Sequence, residues 1–159
     1  MRRLIVLALL ALFGVATPAW SASLLARMEA SLTRDGADKT IERYFDCENG
    51  KGYAVIETGD PRAVAFAVKM LKWSDACVTE SLLSSLGTAM QVAPRIVLPY
   101  VGTSDLLNAD QICLPFISED EPDSVAHAIV ARSRRAIEGV HDPKLEKQRF
   151  ACLVAISGG

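Results

Sequence analysis

Four cysteines, Cys47, Cys77, Cys113 and Cys152, all lie beyond an apolar N-terminal run, and this arrangement constrains the fold more than any other feature of the chain. The run follows Arg2 and Arg3, extends from Leu4 to Phe13, and is broken by Gly14 and then Pro18. Small residues follow at Ala19, Ser21, Ala22 and Ser23. About ten apolar residues fall short of the ~20 that a bilayer-spanning helix needs, so the pattern reads as a secretory signal rather than an anchor. We expect a cleavable signal peptide over residues 1–22, a periplasmic or secreted product, and no stable membrane insertion once the signal is removed. In an oxidising compartment an even number of cysteines reads as two disulfides. Four cysteines permit three pairings, and the sequence does not choose among them. Joining Cys47 to Cys77 and Cys113 to Cys152 would tie each half of the chain to itself, and is the pairing we favour.

The remainder, residues 23–159, suits a single domain with one core. Helix punctuation recurs along it. Ser23 can cap a first helix that carries Leu24, Leu25, Met28 and Leu32 inward and stops near Asp35-Gly36. A second helix fits Asp38 to Glu48. Gly50 to Thr58 is ambiguous between a short strand and one or two helical turns. Asp60-Pro61 is a cleaner start, because the carboxylate accepts from free backbone N–H groups and proline loses no hydrogen bond at the first helical position. Val64, Ala67, Val68 and Leu71 follow at helical spacing, and Phe66, Met70 and Trp73 widen the stripe. Ser74 or Asp75 restarts a helix that Gly87 should stop. Pro94 and Pro99 flank a connecting segment with short helical pieces, and Ser104 or Asp105 begins a helix running to Pro115. Residues 122–138 have carboxylates at the first turn and Arg132, Arg134 and Arg135 near the last, which suits the helix dipole. Asp142-Pro143 begins the final helix. The expected fold is all-α, a compact, disulfide-stapled bundle of about six to eight short helices.

The chemistry-bearing residues are few. His127 and His141 are the only histidines. A metal site would require them to converge with carboxylates such as Asp120 or Asp123, and their spacing does not demand it. Ser81, Ser84 and Ser85 lie in no nucleophile elbow. The acidic run from Ser118 to Asp123 lacks the alternating ligands and central glycine of a calcium loop. Arg132, Arg134, Arg135, Lys144 and Arg149 offer a basic face for an acidic partner or a solvated helix end. Net charge is −2, and losing Arg2 and Arg3 with the leader makes the rest more acidic. Such a chain has no field for gathering nucleic acid. No cofactor is expected.

One local pattern extends this reading. Cys113-Leu114-Pro115, Ile117-Ser118, a helix, and then Phe150-Ala151-Cys152 resembles the C-terminal half of small periplasmic immunity proteins of the Rap/Tai type. Those proteins protect bacteria against peptidoglycan amidases delivered by type VI secretion. Cys47 with Gly52-Tyr53 and Gly59-Asp60 echoes a Cys-Gly-Tyr segment of that family, here set further from Cys-Leu-Pro. The resemblance covers about forty residues. It implies an exported, helical, disulfide-bearing protein that binds another protein, and it transfers no site residue. The leading expectation is therefore a noncatalytic periplasmic binding protein, of the inhibitor or immunity type, acting on an envelope enzyme. The alternatives are a small periplasmic enzyme or metal-binding protein using His127, His141 and the Glu119–Asp123 carboxylates, and an envelope stress or structural protein.

Overall fold

A computed structural model describes residues 19–47, 49–117 and 120–158. Its α-helices, in chain order, are α1 (Ala19–Asp35), α2 (Ala37–Tyr44), α3 (Lys51–Glu57), α4 (Pro61–Met70), α5 (Ala76–Val92), α6 (Pro94–Val97), α7 (Ala109–Ile112), α8 (Asp123–Glu138) and α9 (Glu146–Gly158). Short 3-10 turns cover Leu98–Tyr100, Asp105–Leu107 and Pro143–Leu145. No strand occurs among the described residues. The chain is all-α, and the helix number passes the expected range because α6 and α7 are single turns of four residues.

Helix α5 organises the rest. Val78, Leu82, Leu83, Leu86, Ala89 and Met90 are all buried along it, and so are Ser85 and Gly87. A helix buried on most of its circumference must be surrounded. Helices α3 and α4 pack on it from the first half of the chain, and α6, α7 and α8 from the second. Helices α1 and α2 pack on each other at a corner laid against α3, while α9 lies against α7 and α8. Both staples have the favoured pairing. Cys47–Cys77 joins the turn after α2 to the first turn of α5, and Cys113–Cys152 joins the end of α7 to α9.

The α1–α2 corner is held by polar groups as well as by packing. Gly36, at φ +85°, reverses the chain there in a conformation that a side chain would strain. Arg34 and Arg43 both donate to the Asp35 carboxylate, at 2.7 and 2.9 Å. Ser31 donates to the same carboxylate at 3.2 Å, and the buried Thr40 hydroxyl donates to the Gly36 carbonyl at 2.8 Å. Beyond the corner Phe45 is fully buried, edge-on to Tyr53 and stacked on Phe66. The backbone of Gly52 passes directly over its ring. A Cβ there would fall 2.5 Å from the ring and 2.9 Å from the Tyr44 carbonyl oxygen, so only glycine fits.

Several local expectations change. Helix α1 begins at Ala19, so Ser23 does not cap it; the Ser23 hydroxyl donates back to the Trp20 carbonyl at 2.9 Å. The expected leader lies outside the described residues up to residue 18, and residues 19–22 form the first turn of α1. Helix α2 ends at Tyr44, because Phe45 leaves helical geometry to enter the core, while Glu48 lies outside the described residues. The ambiguous segment after Gly50 is helical. Helix α4 closes at Met70, so Trp73 falls in the following turn and is 45% exposed rather than core. Gly87 does not stop α5, which runs on to Val92. The helix expected from Ser104 or Asp105 splits into a 3-10 turn and α7, because the Asn108 side chain caps Gln111 N–H at 3.0 Å and starts a new turn.

Candidate functional site

The structure does not bring the two histidines together. His127 is exposed in the second turn of α8, and His141 is exposed just beyond that helix's C-terminus. At 1.5 Å per residue, His127 and the end of α8 at Glu138 are already about 16 Å apart along the axis. His141 instead shares a shallow depression of about 240 Å³ with Asp142, Glu146 and Arg149. Asp120 and Asp123 are exposed ahead of and at the start of α8, and Ser118 and Glu119 lie outside the described residues. Among the described residues, no three His, Cys, Asp or Glu side chains are grouped so as to hold a metal ion. The basic residues are also dispersed. Arg134 donates to the Ser157 hydroxyl at 3.0 Å across the α8–α9 contact, Arg132 and Arg135 are exposed, and Arg149 lines the His141 depression.

Concave surface does collect elsewhere, on both sides of the irregular segment at residues 113–117. This segment crosses α5 at Gly87, where the Ile112 and Leu114 carbonyl oxygens would lie 3.6 and 3.7 Å from an added Cβ. Because glycine sits at the crossing, the segment lies against the helix. Leu114 and Phe116, two residues apart, then line different depressions.

The first depression, about 730 Å³, runs between α7 and α9. Its lining is mainly apolar, with Leu114, Phe150, Ala151 and Val154, and also includes Asp110 and Lys147. Phe150 and Val154 are one turn apart on α9 and are 67% and 54% exposed, whereas Cys152 and Ile156 on the opposite face are buried. Beneath this groove the Cys113–Cys152 bridge is itself core, at 2% and 0% exposure.

The second depression, about 330 Å³, lies between α3 and α5 and is lined by Tyr53, Glu57, Glu80, Ser81, Ser84, Ser85 and Phe116. Phe116 stands 74% exposed. The Tyr53 hydroxyl donates to the Phe45 carbonyl at 3.0 Å, and burial pushes its phenol up against a lowering hydrogen bond from Ser81. It therefore remains a neutral donor across the physiological range. Ser85, buried within α5, donates to Glu57 at 3.3 Å and so aims that carboxylate. Neither Glu57 nor Glu80 has an ion-pair partner among the described residues.

This surface was not read from the sequence. In sequence the serines of α5 fit no nucleophile motif, and Phe116 and Phe150 look like ordinary core aromatics. The available signal was in α9, whose apolar residues fall on two faces, Cys152 with Ile156 and Phe150 with Val154. One such face is enough to pack the helix against the core. No helix among the described residues is long and apolar enough to cross a membrane. No family model, curated protein or solved structure matches the chain.

Proposed function

We propose that this chain is an exported, noncatalytic protein-binding module of the inhibitor or immunity type. Its partner is an envelope-acting enzyme held against the two depressions beside residues 113–117. The observation that carries the reading is the exposure of Phe116, Phe150 and Val154 around concave surface on a disulfide-stapled scaffold. Large apolar side chains in and around a groove, with polar groups at the margin, are how protein interfaces place their anchors. Two disulfides suit an oxidising compartment, and a scaffold fixed by them loses little conformational freedom when it binds. The resemblance of Cys113-Leu114-Pro115 and Phe150-Ala151-Cys152 to periplasmic immunity proteins favours a cell-wall amidase as the enzyme class.

The test uses the purified, oxidised protein against a panel of peptidoglycan amidases, scored by light scattering for complex formation and by release of peptide from cell-wall sacculi. We expect a stoichiometric complex with one amidase, inhibition of that enzyme, and loss of both on Phe150→Glu or Phe116→Glu with helicity unchanged. A complex unaffected by both substitutions would exclude this face. Turnover of a wall substrate by the protein alone, with no complex, would exclude the binding reading.

A further inference from the structure

The two disulfides occupy opposite environments. Cys113–Cys152 is sealed in the core, whereas both Cys47 and Cys77 are exposed. We propose that Cys47–Cys77 is a thiol–disulfide exchange site, open to a protein dithiol of the Cys-x-x-Cys class while the other bridge stays closed, and that it acts as a latch on the polar depression between α3 and α5.

The fold supplies a direction for the exchange. Cys77 is the second residue of α5, a helix of 17 residues whose N-cap Asp75 accepts from Val78 N–H at 3.0 Å. A thiolate in the first turn of a long helix is stabilised by the helix dipole, and the better stabilised sulfur leaves faster. Cys47, in the turn after α2, has no such helix end. The incoming thiolate therefore attacks Cys47 Sγ. The Cys47–Cys77 bond breaks, its electron pair leaves on Cys77 Sγ, and a mixed disulfide forms on Cys47. The second thiol of the reductant gives up its proton to solvent and attacks its own partner sulfur. Cys47 leaves as a thiolate, the reductant is oxidised to its disulfide, and the two cysteines of this chain are reduced.

The position of the bridge gives the exchange a consequence. Cys77, Glu80, Ser81 and Ser84 recur at helical spacing on one side of α5, so the bridge lies at the end of the α5 wall of the depression. On the facing wall Tyr53 is tied to the carbonyl of Phe45, two residues before Cys47. The bridge thus clamps the turn after α2, to which Tyr53 is tied, to the helix carrying the other wall. Phe45 is fully buried against Phe66, so the turn after α2 stays packed after the bridge opens, and the change is confined to this end of the site. The exchange step stands whether or not a partner occupies the depression; its effect on binding rests on the function proposed above.

The experiment titrates the native protein with dithiothreitol, quenches with a thiol-alkylating reagent, and maps the labelled cysteines by mass spectrometry alongside circular dichroism. Cys47 and Cys77 should label at least tenfold lower in reductant than Cys113 and Cys152, with native helicity retained. Simultaneous opening of both bridges, earlier opening of the core bridge, or loss of helicity at the first step would overturn the proposal. In a second arm, an oxidoreductase domain of the Cys-x-x-Cys class, its second cysteine replaced by serine, should be trapped on Cys47. Failure to trap it, or trapping on Cys77, would overturn the exchange site or its direction respectively. Hydrogen exchange at Tyr53 should accelerate several-fold once the bridge opens, and an unchanged rate would refute the latch.

Discussion

Asp35 shows how much of the α1–α2 corner depends on one carboxylate. The Arg34 hydrogen bond, with further donation from Arg43 and Ser31, holds its carboxyl well below the usual range, even though desolvation opposes the shift. A folded-state value below the unfolded one adds stability that is complete at neutral pH. That stability is lost as pH falls below the ordinary carboxylate range near ~4 and toward the lower folded value. Asp35→Asn should therefore lower the unfolding midpoint at pH 7 and flatten the acid limb of stability against pH. Urea titrations of both proteins between neutral pH and strong acid check this. Parallel acid limbs would show that Asp35 does not supply the dependence. The histidines, in contrast, are separated by most of the length of α8, His127 in its second turn and His141 beyond its C-terminus, and they form no common site.

At the scale of the helix, Gly87 separates what a local rule predicts from what packing decides. Glycine after an apolar stripe usually ends a helix, yet here the stripe resumes at Ala89 and Met90, and burying those residues against the core outweighs the glycine's propensity. The nearest atoms to an added Cβ at Gly87 are carbonyl oxygens at 3.6 and 3.7 Å, which is ordinary van der Waals contact. Gly87→Ala should thus stabilise the protein by about 0.5–1 kcal/mol, through helix propensity and a less flexible unfolded chain. Gly87→Leu should destabilise it by forcing residues 112–114 off the helix, typically by about 1–3 kcal/mol for an overpacked site. Equilibrium unfolding of the two variants tests the opposite signs. The same contrast explains what was legible. Asp60-Pro61, Asp75, Asp142 and the dipole-matched ends of α8 mark their elements, because capping is chemistry between near neighbours. The end of α2 at Phe45, the exposure of Trp73 and the continuation of α5 depend on which distant helix is adjacent, and no local pattern encodes that. The candidate site was hidden for the same reason: Phe116 and Phe150 differ from core aromatics only in what the fold leaves uncovered.

For the molecule as a whole, the two staples close loops of similar length, with cysteines 30 and 39 residues apart. Chain entropy alone assigns them about 3.6 and 3.9 kcal/mol, a difference too small to matter. Their surroundings separate them. Cys47 and Cys77 are exposed residues and Phe45 stays packed against Phe66 in the turn after α2, so Cys47→Ala/Cys77→Ala should lose little beyond the loop-closure contribution. Removing Cys113 and Cys152 empties two core positions beneath the α7–α9 groove, and each lost buried atom adds roughly 1 kcal/mol. Cys113→Ala/Cys152→Ala should therefore be the less stable double variant by about 1–2 kcal/mol in non-reducing urea titrations. It should also lose order around Phe150 and Val154, which stand on the helix that this bridge anchors. Coincident midpoints would mean that the core relaxes around the missing sulfurs and that the groove does not depend on its staple. A gap in the expected direction would assign the buried bridge the task of fixing the apolar surface in place, beyond the loop closure that both bridges share.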